Sequence, residues 1–146
     1  MLKDEASVAE TVRMASVDDL DEVKSFYRDV GYSPAVDPAN KILLAEIDGR
    51  IIGVLRLCDE HGALILRGMQ VHRDYQRQGI GTRLLEFALT HMDRACFCLS
   101  FKHTVEFYRR AGFAPVPETD LPPFLRERVI RYRGKGDNVV AMVRGV

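Results

Sequence analysis

The stretch Gln76-Arg77-Gln78-Gly79-Ile80-Gly81-Thr82 has the residue types and spacing of an anion-binding loop. It follows an apolar run, Ala63 to Val71, and opens a helical pattern. That pattern sets Ile80, Leu84, Leu85, Ala88, Leu89 and Met92 on one face, the repeat of an amphipathic helix. Two glycines therefore sit where a strand hands over to a helix. A helix start presents backbone N–H groups with no intrahelical partner, together with the positive end of the macrodipole. Glycine lets a ligand come close to that backbone. The combination suits a phosphate or pyrophosphate.

The loop is not of the nucleotide P-loop type, because no Gly-Lys-Ser/Thr follows to reach the outer phosphates. It also departs from the dinucleotide fingerprint, since Leu84 stands where a third glycine belongs. What remains is Gln-x-x-Gly-x-Gly after a strand ending in valine. This resembles motif A of the GNAT superfamily of N-acetyltransferases. Further on, Thr104-Val105-Glu106-Phe107-Tyr108-Arg109-Arg110-Ala111-Gly112-Phe113 resembles motif B of the same family. Phe107, Tyr108, Gly112 and Phe113 match the pattern, Val105 replaces its small residue, and Lys102 occupies its usual asparagine position. The element order fits along the whole chain, while the specific motifs lie within residues 63–116. A second segment, Ser25 to Tyr32, looks much like Glu106 to Phe113. Both read as a helix ending in Gly with an aromatic residue next, which is ordinary C-cap chemistry. Order relative to the Gly loop selects Tyr108 over Tyr27.

The resemblance implies acetyl-coenzyme A as co-substrate. The amides of Gln76, Arg77, Gln78, Gly79, Ile80, Gly81 and Thr82 would hold its pyrophosphate, and the backbone of Met69 and Val71 its pantetheine arm. The acetyl group would pass to a primary amine of an acceptor, either a small molecule or a protein amine. An amine with a pKa of about 10.4 is free in only on the order of one molecule in a thousand at neutral pH, so a proton must be removed. Backbone N–H groups suffice for the oxyanion. The departing thiolate, with an acidity of about 8.5, gains from an acid; the resemblance assigns that role to Tyr108. The strand before the loop carries no carboxylate where the family often has one. Glu46, Asp59, His61, His72 and Glu106 stay open as bases, as does water. Arg77 adds charge beside the phosphates or is a solvated loop residue. Arg109 and Arg110 reach a phosphate or are helix-end surface charges. The acceptor pocket is expected from residues 15–40, residues 117–126 and the sheet. A catalytically weak acyl-coenzyme A sensor on the same fold is the alternative.

Composition narrows the rest. The chain has 146 residues, and its 21 basic and 21 acidic side chains balance. That size suits a single domain, 1–146, and the balance gives no field for nucleic acid. No apolar run reaches a membrane span, and the polar start Met1 to Glu5 is unlike a signal peptide. Three cysteines, Cys58, Cys96 and Cys98, read as reduced thiols of a cytoplasmic protein, with no metal site. The run Arg126 to Lys135 has five basic residues against Glu127, either a solvated helix face or a surface for an acidic partner. A monomer or homodimer is expected.

The elements that must position these residues are legible from periodicity. They are a strand at 11–14, a helix capped by Ser16 and ended by Gly31, and a hairpin 41–47/50–57 turning at Asp48-Gly49. A turn at 59–62, a strand 63–71, the loop helix, a strand 95–99 and the motif-B helix follow. A short strand at 113–116, a helix 124–133 and a strand 139–143 close the chain. This is α/β, with a mixed, mostly antiparallel central sheet and flanking helices. The crossover rule makes strands 63–71 and 95–99 parallel neighbours. The resemblance implies that this parallel pair splays apart.

Overall fold

The computed structural model describes residues 10–145, so the polar segment Met1 to Glu5 lies outside the described residues. The strands are β1 (Glu10–Met14), β2 (Lys41–Ile47), β3 (Arg50–Glu60), β4 (Ala63–Val71), β5 (Cys96–Phe101), β6 (Ala114–Pro115) and β7 (Val139–Arg144). The α-helices are α1 (Leu20–Asp29), α2 (Ile80–Leu89), α3 (Val105–Arg110) and α4 (Pro123–Gly134). The sheet of described strands is seven-stranded, in the order β1-β2-β3-β4-β5-β7-β6, mostly antiparallel with one parallel pair. The chain divides into two compact units: residues up to Cys58 with Leu66–His91, and Asp59–Ile65 with residues from Met92 on.

In the first unit, β1 pairs with β2 and β2 with β3, all antiparallel. The β2–β3 turn places Asp48 and Gly49 at φ 52° and 77°, the left-handed pair that matches strand twist. Helix α1 buries Val23, Phe26 and Tyr27 against Ile42, Leu44, Ile51 and Val54. Ala45 and Ile52 pack instead with Ile80 at the start of α2. Alternate side chains thus serve two helices, as the period of a strand dictates. A β-bulge refines this. Ala45 pairs with Gly53 and Glu46 with Ile51, so Ile52 is the extra residue. Gly53 then also faces α2: a Cβ there would lie 3.5 Å from Leu84 Cδ2.

In the second unit, β5 and β6 both pair antiparallel with β7. Strand β5 buries Cys96, Cys98 and Ser100, so both cysteines do point to one face. Helix α4 buries Leu125 and Val129 against Ile65, Leu121 and Ala141.

Strand β3 runs to Glu60 rather than stopping at Leu57, and the next turn shrinks to His61-Gly62, at φ 53° and 85°. The acids Asp59 and Glu60 read as turn residues in sequence. In the fold, Arg94 meets Asp59 at 2.7 Å and Arg128 meets Glu60 at 2.5 Å, so both charges are held within strand structure.

Ser16 opens a 3-10 turn, Val17–Asp19, that leads into α1. The Asp19 carboxylate accepts from the Ser16 N–H at 2.7 Å and from two Arg13 nitrogens at 2.8 and 3.0 Å. Arg13 also donates to Glu46 at 2.9 Å. The Arg13 guanidinium, then the Ser16 amide, hold the Asp19 carboxyl well below the usual carboxylate range. A depressed carboxyl contributes stability above its unfolded pKa of about 3.9 and loses it as pH falls through the folded value. Asp19→Asn is therefore expected to lower stability by about 1 kcal/mol at neutral pH, a figure reduced by the half-exposed Arg13. Thermal melts should show that gap closing below about pH 4. An equal gap at pH 7 and pH 2 would mean that shape, not charge, holds this corner.

Candidate active site

The loop after β4 is built from its own side chains. His72 closes β4 by donating its N–H to the Ile52 carbonyl at 2.8 Å, and a 3-10 turn, Arg73–Tyr75, follows. Gln76 then folds back and donates its side-chain amide to the Val71 carbonyl at 2.9 Å. Gln78 braces the turn through the Asp74 carbonyl at 3.3 Å. The motif glutamine is thus a strut for the loop, and the Val71 carbonyl already has one partner. The Gln76 N–H reaches the Arg73 carbonyl at 3.4 Å, a marginal bond.

Beyond Gln76 the backbone turns sharply. Arg77 and Gly79 take φ 65° and 80°, and Gly79 is the N-cap of α2. The first amide that finds a backbone carbonyl is Arg83, which bonds Gly79 at 3.0 Å. No acceptor among the described residues takes the amides from Arg77 to Thr82. Residues 76–79 are exposed and Ile80 is buried, so the run of free N–H groups is anchored at one end and open at the other. This arrangement has the chemistry of an anion cradle, with backbone dipoles already oriented.

Sequence reading missed two residues of this cradle. The Arg83 guanidinium donates to the Gln78 carbonyl at 3.0 Å and to the Glu10 carboxylate at 2.8 Å, with a second nitrogen also on Glu10. Gly79 takes φ 80°, so that position favours glycine; a Cβ there would lie 2.8 Å from Arg83 Nη1, which would have to shift. A cation in the first turn of a helix opposes the macrodipole; Glu10, from β1, offsets it. Arg83 was visible as a basic residue one turn into α2. Its partner, on a different strand, was not.

Tyr108 sits in the second unit. It is buried on α3, with Phe107 and Phe113 edge-on at 5.1 and 5.7 Å. Burial pushes its phenol further up from its usual range, with Cys98 and Cys96 adding to the effect. The hydroxyl therefore stays protonated throughout the neutral range, the state an acid requires.

Tyr27 is a close local twin. The Tyr32 N–H bonds the Tyr27 carbonyl at 2.9 Å, and the Phe113 N–H bonds the Tyr108 carbonyl at 3.2 Å. Gly31 and Gly112 close the inner bonds of both caps at 3.0 Å, so each helix ends in a Schellman motif followed by an aromatic. The likeness of the two segments is helix-ending chemistry. Their hydroxyls differ in use: Tyr27 donates to the Gly68 carbonyl of β4 at 2.8 Å.

The candidate bases are largely engaged. Glu46 holds Arg13 and Asp59 holds Arg94. Glu106 lies exposed between Arg109 and Arg110, each at 3.6 Å, so those arginines have a local carboxylate. His72 Nδ1 accepts from the Asp74 N–H at 3.1 Å, which occupies that lone pair. The His61 ring packs tilted against Phe124, centroids 4.7 Å apart, at a hairpin tip. Lys102 lies exposed in the 3-10 turn before α3. The basic run on α4 is also largely consumed within its own unit. Arg126 caps the carbonyls of Glu118, Thr119 and Leu121, Arg128 pairs with Glu60, and Arg133 pairs with Glu118. Among the described residues no cluster of three or more His, Cys, Asp or Glu could hold a metal ion. No helix among them is long and apolar enough to cross a membrane.

The family profile described as an acetyltransferase (GNAT) domain matches residues 38–115, just over half of the 146 residues. The chain belongs to the GNAT acetyltransferase family. Comparison with curated protein sequences gives no match. Among solved structures, the fold is similar to N-acetylglutamate synthase from Neisseria gonorrhoeae complexed with coenzyme A and N-acetyl-glutamate. The TM-score is 0.73 at 22% identity, over 94% of this chain and 35% of that one, so this chain spans about a third of that enzyme's length. An acyl-CoA N-acyltransferase from Pseudomonas aeruginosa gives 0.67 at 21% identity, covering 95% and 100% of the two chains. A GNAT-family acetyltransferase from Streptococcus pneumoniae gives 0.70 at 16%, covering 93% and 98%. At these identities the likeness is one of fold.

Proposed function

We propose that this protein is an N-acetyltransferase that moves an acetyl group from acetyl-coenzyme A to a primary amine. The observation that carries this reading is the run of amides from Arg77 to Thr82, which no described acceptor takes, opening α2 directly after β4. Those amides fit a pyrophosphate, with Gln76 as strut and Met69 and Val71 offering strand backbone to the pantetheine arm. Acetyl-coenzyme A supplies an activated thioester. Tyr108 holds the proton that the leaving sulfur takes, and the acceptor amine loses its own proton through water. The chain acts as one domain, 1–146, in the cytoplasm, as a monomer or homodimer. The acceptor is a small molecule or a protein amine.

The engagement of Glu46, Asp59 and His72 favours a second reading, a slow acyl-coenzyme A sensor on the same fold. One experiment separates the two. Coenzyme A affinity is measured by calorimetry, and thiol release is followed with a panel of amino acids, peptides and polyamines. Acetyl transfer predicts binding together with release above background for at least one amine. Binding without any amine-dependent release supports the sensor, and absence of binding removes both.

A further inference from the structure

Arg56 is a buried cation with no carboxylate partner among the described residues. It lies in β3 among Val54, Leu55, Leu57 and Cys58, and it is 3% exposed. Arg13, Arg83, Arg94, Arg128 and Arg133 each have a carboxylate partner. The groups that face Arg56 are instead neutral: the phenols of Tyr27 and Tyr32, and the Cys58 thiol. Its Nη1 donates to the Ala35 carbonyl and its Nη2 to the Tyr32 hydroxyl, each at 3.2 Å, the long end of the useful range. Its buried Nε has no hydrogen-bond partner among the described residues, and its Cζ lies 5.6 Å from the centroid of the Tyr27 ring. A guanidinium has five N–H donors in a rigid fork suited to a carboxylate. Burying one on neutral acceptors alone is expensive, and an apolar residue of similar volume would usually serve a strand core better.

The surroundings indicate what the fork is for. Gly68 on β4 takes φ 66°, and a Cβ there would lie 2.9 Å from Arg56 Nε and 2.6 Å from the Tyr27 hydroxyl. Glycine keeps that space clear. The next residue is Met69, which the proposed function assigns to the pantetheine arm. Its partners Tyr32, half-buried, and Ala35, exposed, both lie in the irregular segment between α1 and β2. That segment belongs to the 15–40 region expected to shape the acceptor pocket.

We infer that Arg56 is a specificity-determining residue that binds a carboxylate of the acceptor, so the acceptor class is amines that also bear a carboxylate, as free amino acids do. This rests on the acetyltransferase reading. The carboxylate displaces the Ala35 carbonyl and Tyr32 hydroxyl from the fork and gains the unpartnered Nε. It supplies the charge that the core lacks, while Tyr27 stays on Gly68.

The test compares proteinogenic L-amino acids with their carboxamides as acceptors for the full chain, in the wild type, Arg56→Met and Arg56→Lys. Wild type should favour acids over carboxamides by on the order of a hundredfold in kcat/KM, as loss of one buried charge partner generally produces. Arg56→Met should erase that preference through a higher KM for acids, with carboxamide turnover and coenzyme A affinity unchanged. Arg56→Lys should keep part of it, and decides the matter if the Met variant does not fold. Equal use of acids and carboxamides by wild type, turnover only with peptides or polyamines, or coenzyme A binding without turnover of either set would overturn the inference alone. So would an equal loss on both sets in Arg56→Met, or an unchanged preference in Arg56→Lys. Failure of the wild type to bind coenzyme A would instead overturn the acetyltransferase reading beneath it.

Discussion

Gly81→Val is expected to weaken coenzyme A binding by more than about tenfold, or 1.4 kcal/mol, while leaving the melting temperature nearly unchanged. Gly81 lies in the first turn of α2, within the run of amides that no described acceptor takes. Its backbone is helical, and valine has a better helix propensity than glycine by a few tenths of a kcal/mol, so the fold should tolerate the change. The anion path should not. Two methyl groups in the first turn would stand where a pyrophosphate must approach the N–H groups within hydrogen-bond distance. The matched contrast is Gly79→Ala, which forces a left-handed φ on a residue with a Cβ and presses it against Arg83. That variant should lose stability as well as affinity. Calorimetry that finds wild-type affinity in folded Gly81→Val would remove the phosphate site from this loop.

The second large effect is expected at Tyr108. Replacing it with phenylalanine should lower kcat with little change in coenzyme A affinity, because the hydroxyl acts only as the thiolate leaves. Acid–base help is typically worth about 10²- to 10⁴-fold. The modest basicity of a thiolate puts this case at about tenfold to a hundredfold. The packing with Phe107 and Phe113 survives the substitution, so melting should shift little. Tyr27→Phe is the informative companion. The sequence alone suggests it should be nearly silent. The part-buried hydrogen bond to Gly68 changes that expectation: about 1 kcal/mol of stability should be lost. A turnover loss confined to Tyr27→Phe would mean that the acid was assigned to the wrong twin. Unchanged turnover in Tyr108→Phe, under conditions where chemistry limits the rate, would leave solvent as the proton source.

The two tyrosines show where local reading stops. Helix, glycine and aromatic follow one another identically at both places because a Schellman cap needs only neighbours in sequence. Which hydroxyl binds a strand carbonyl depends on what packs above the helix, and no local pattern carries that. The same boundary runs through the cradle. Its free amides follow from a strand, two glycines and a helix start, all contiguous, so the sequence exposed them. Arg83 and its partner Glu10 are 73 residues apart, and only the pairing of β1 with β2 brings that acid within reach.

By itself, the sequence of this protein determined its strands and helices, the hairpin at Asp48-Gly49, the mixed sheet and the glycine loop that opens α2. Each rests on periodicity or on backbone preferences that act over a few residues. Tertiary structure alone decided the fate of the charges. Asp59 and Glu60 read as turn residues until Arg94 and Arg128 met them, and the basic run on α4 read as a solvated face or a surface for an acidic partner, whereas Arg126, Arg128 and Arg133 are engaged within the fold. Arg56 carried no signal in the sequence beyond its place in a strand, yet folding buried it beside Tyr27 and Gly68 with no acid among the described residues to answer it. Charge is balanced over distances in space rather than along the chain, which is why its accounts close only once the chain is folded.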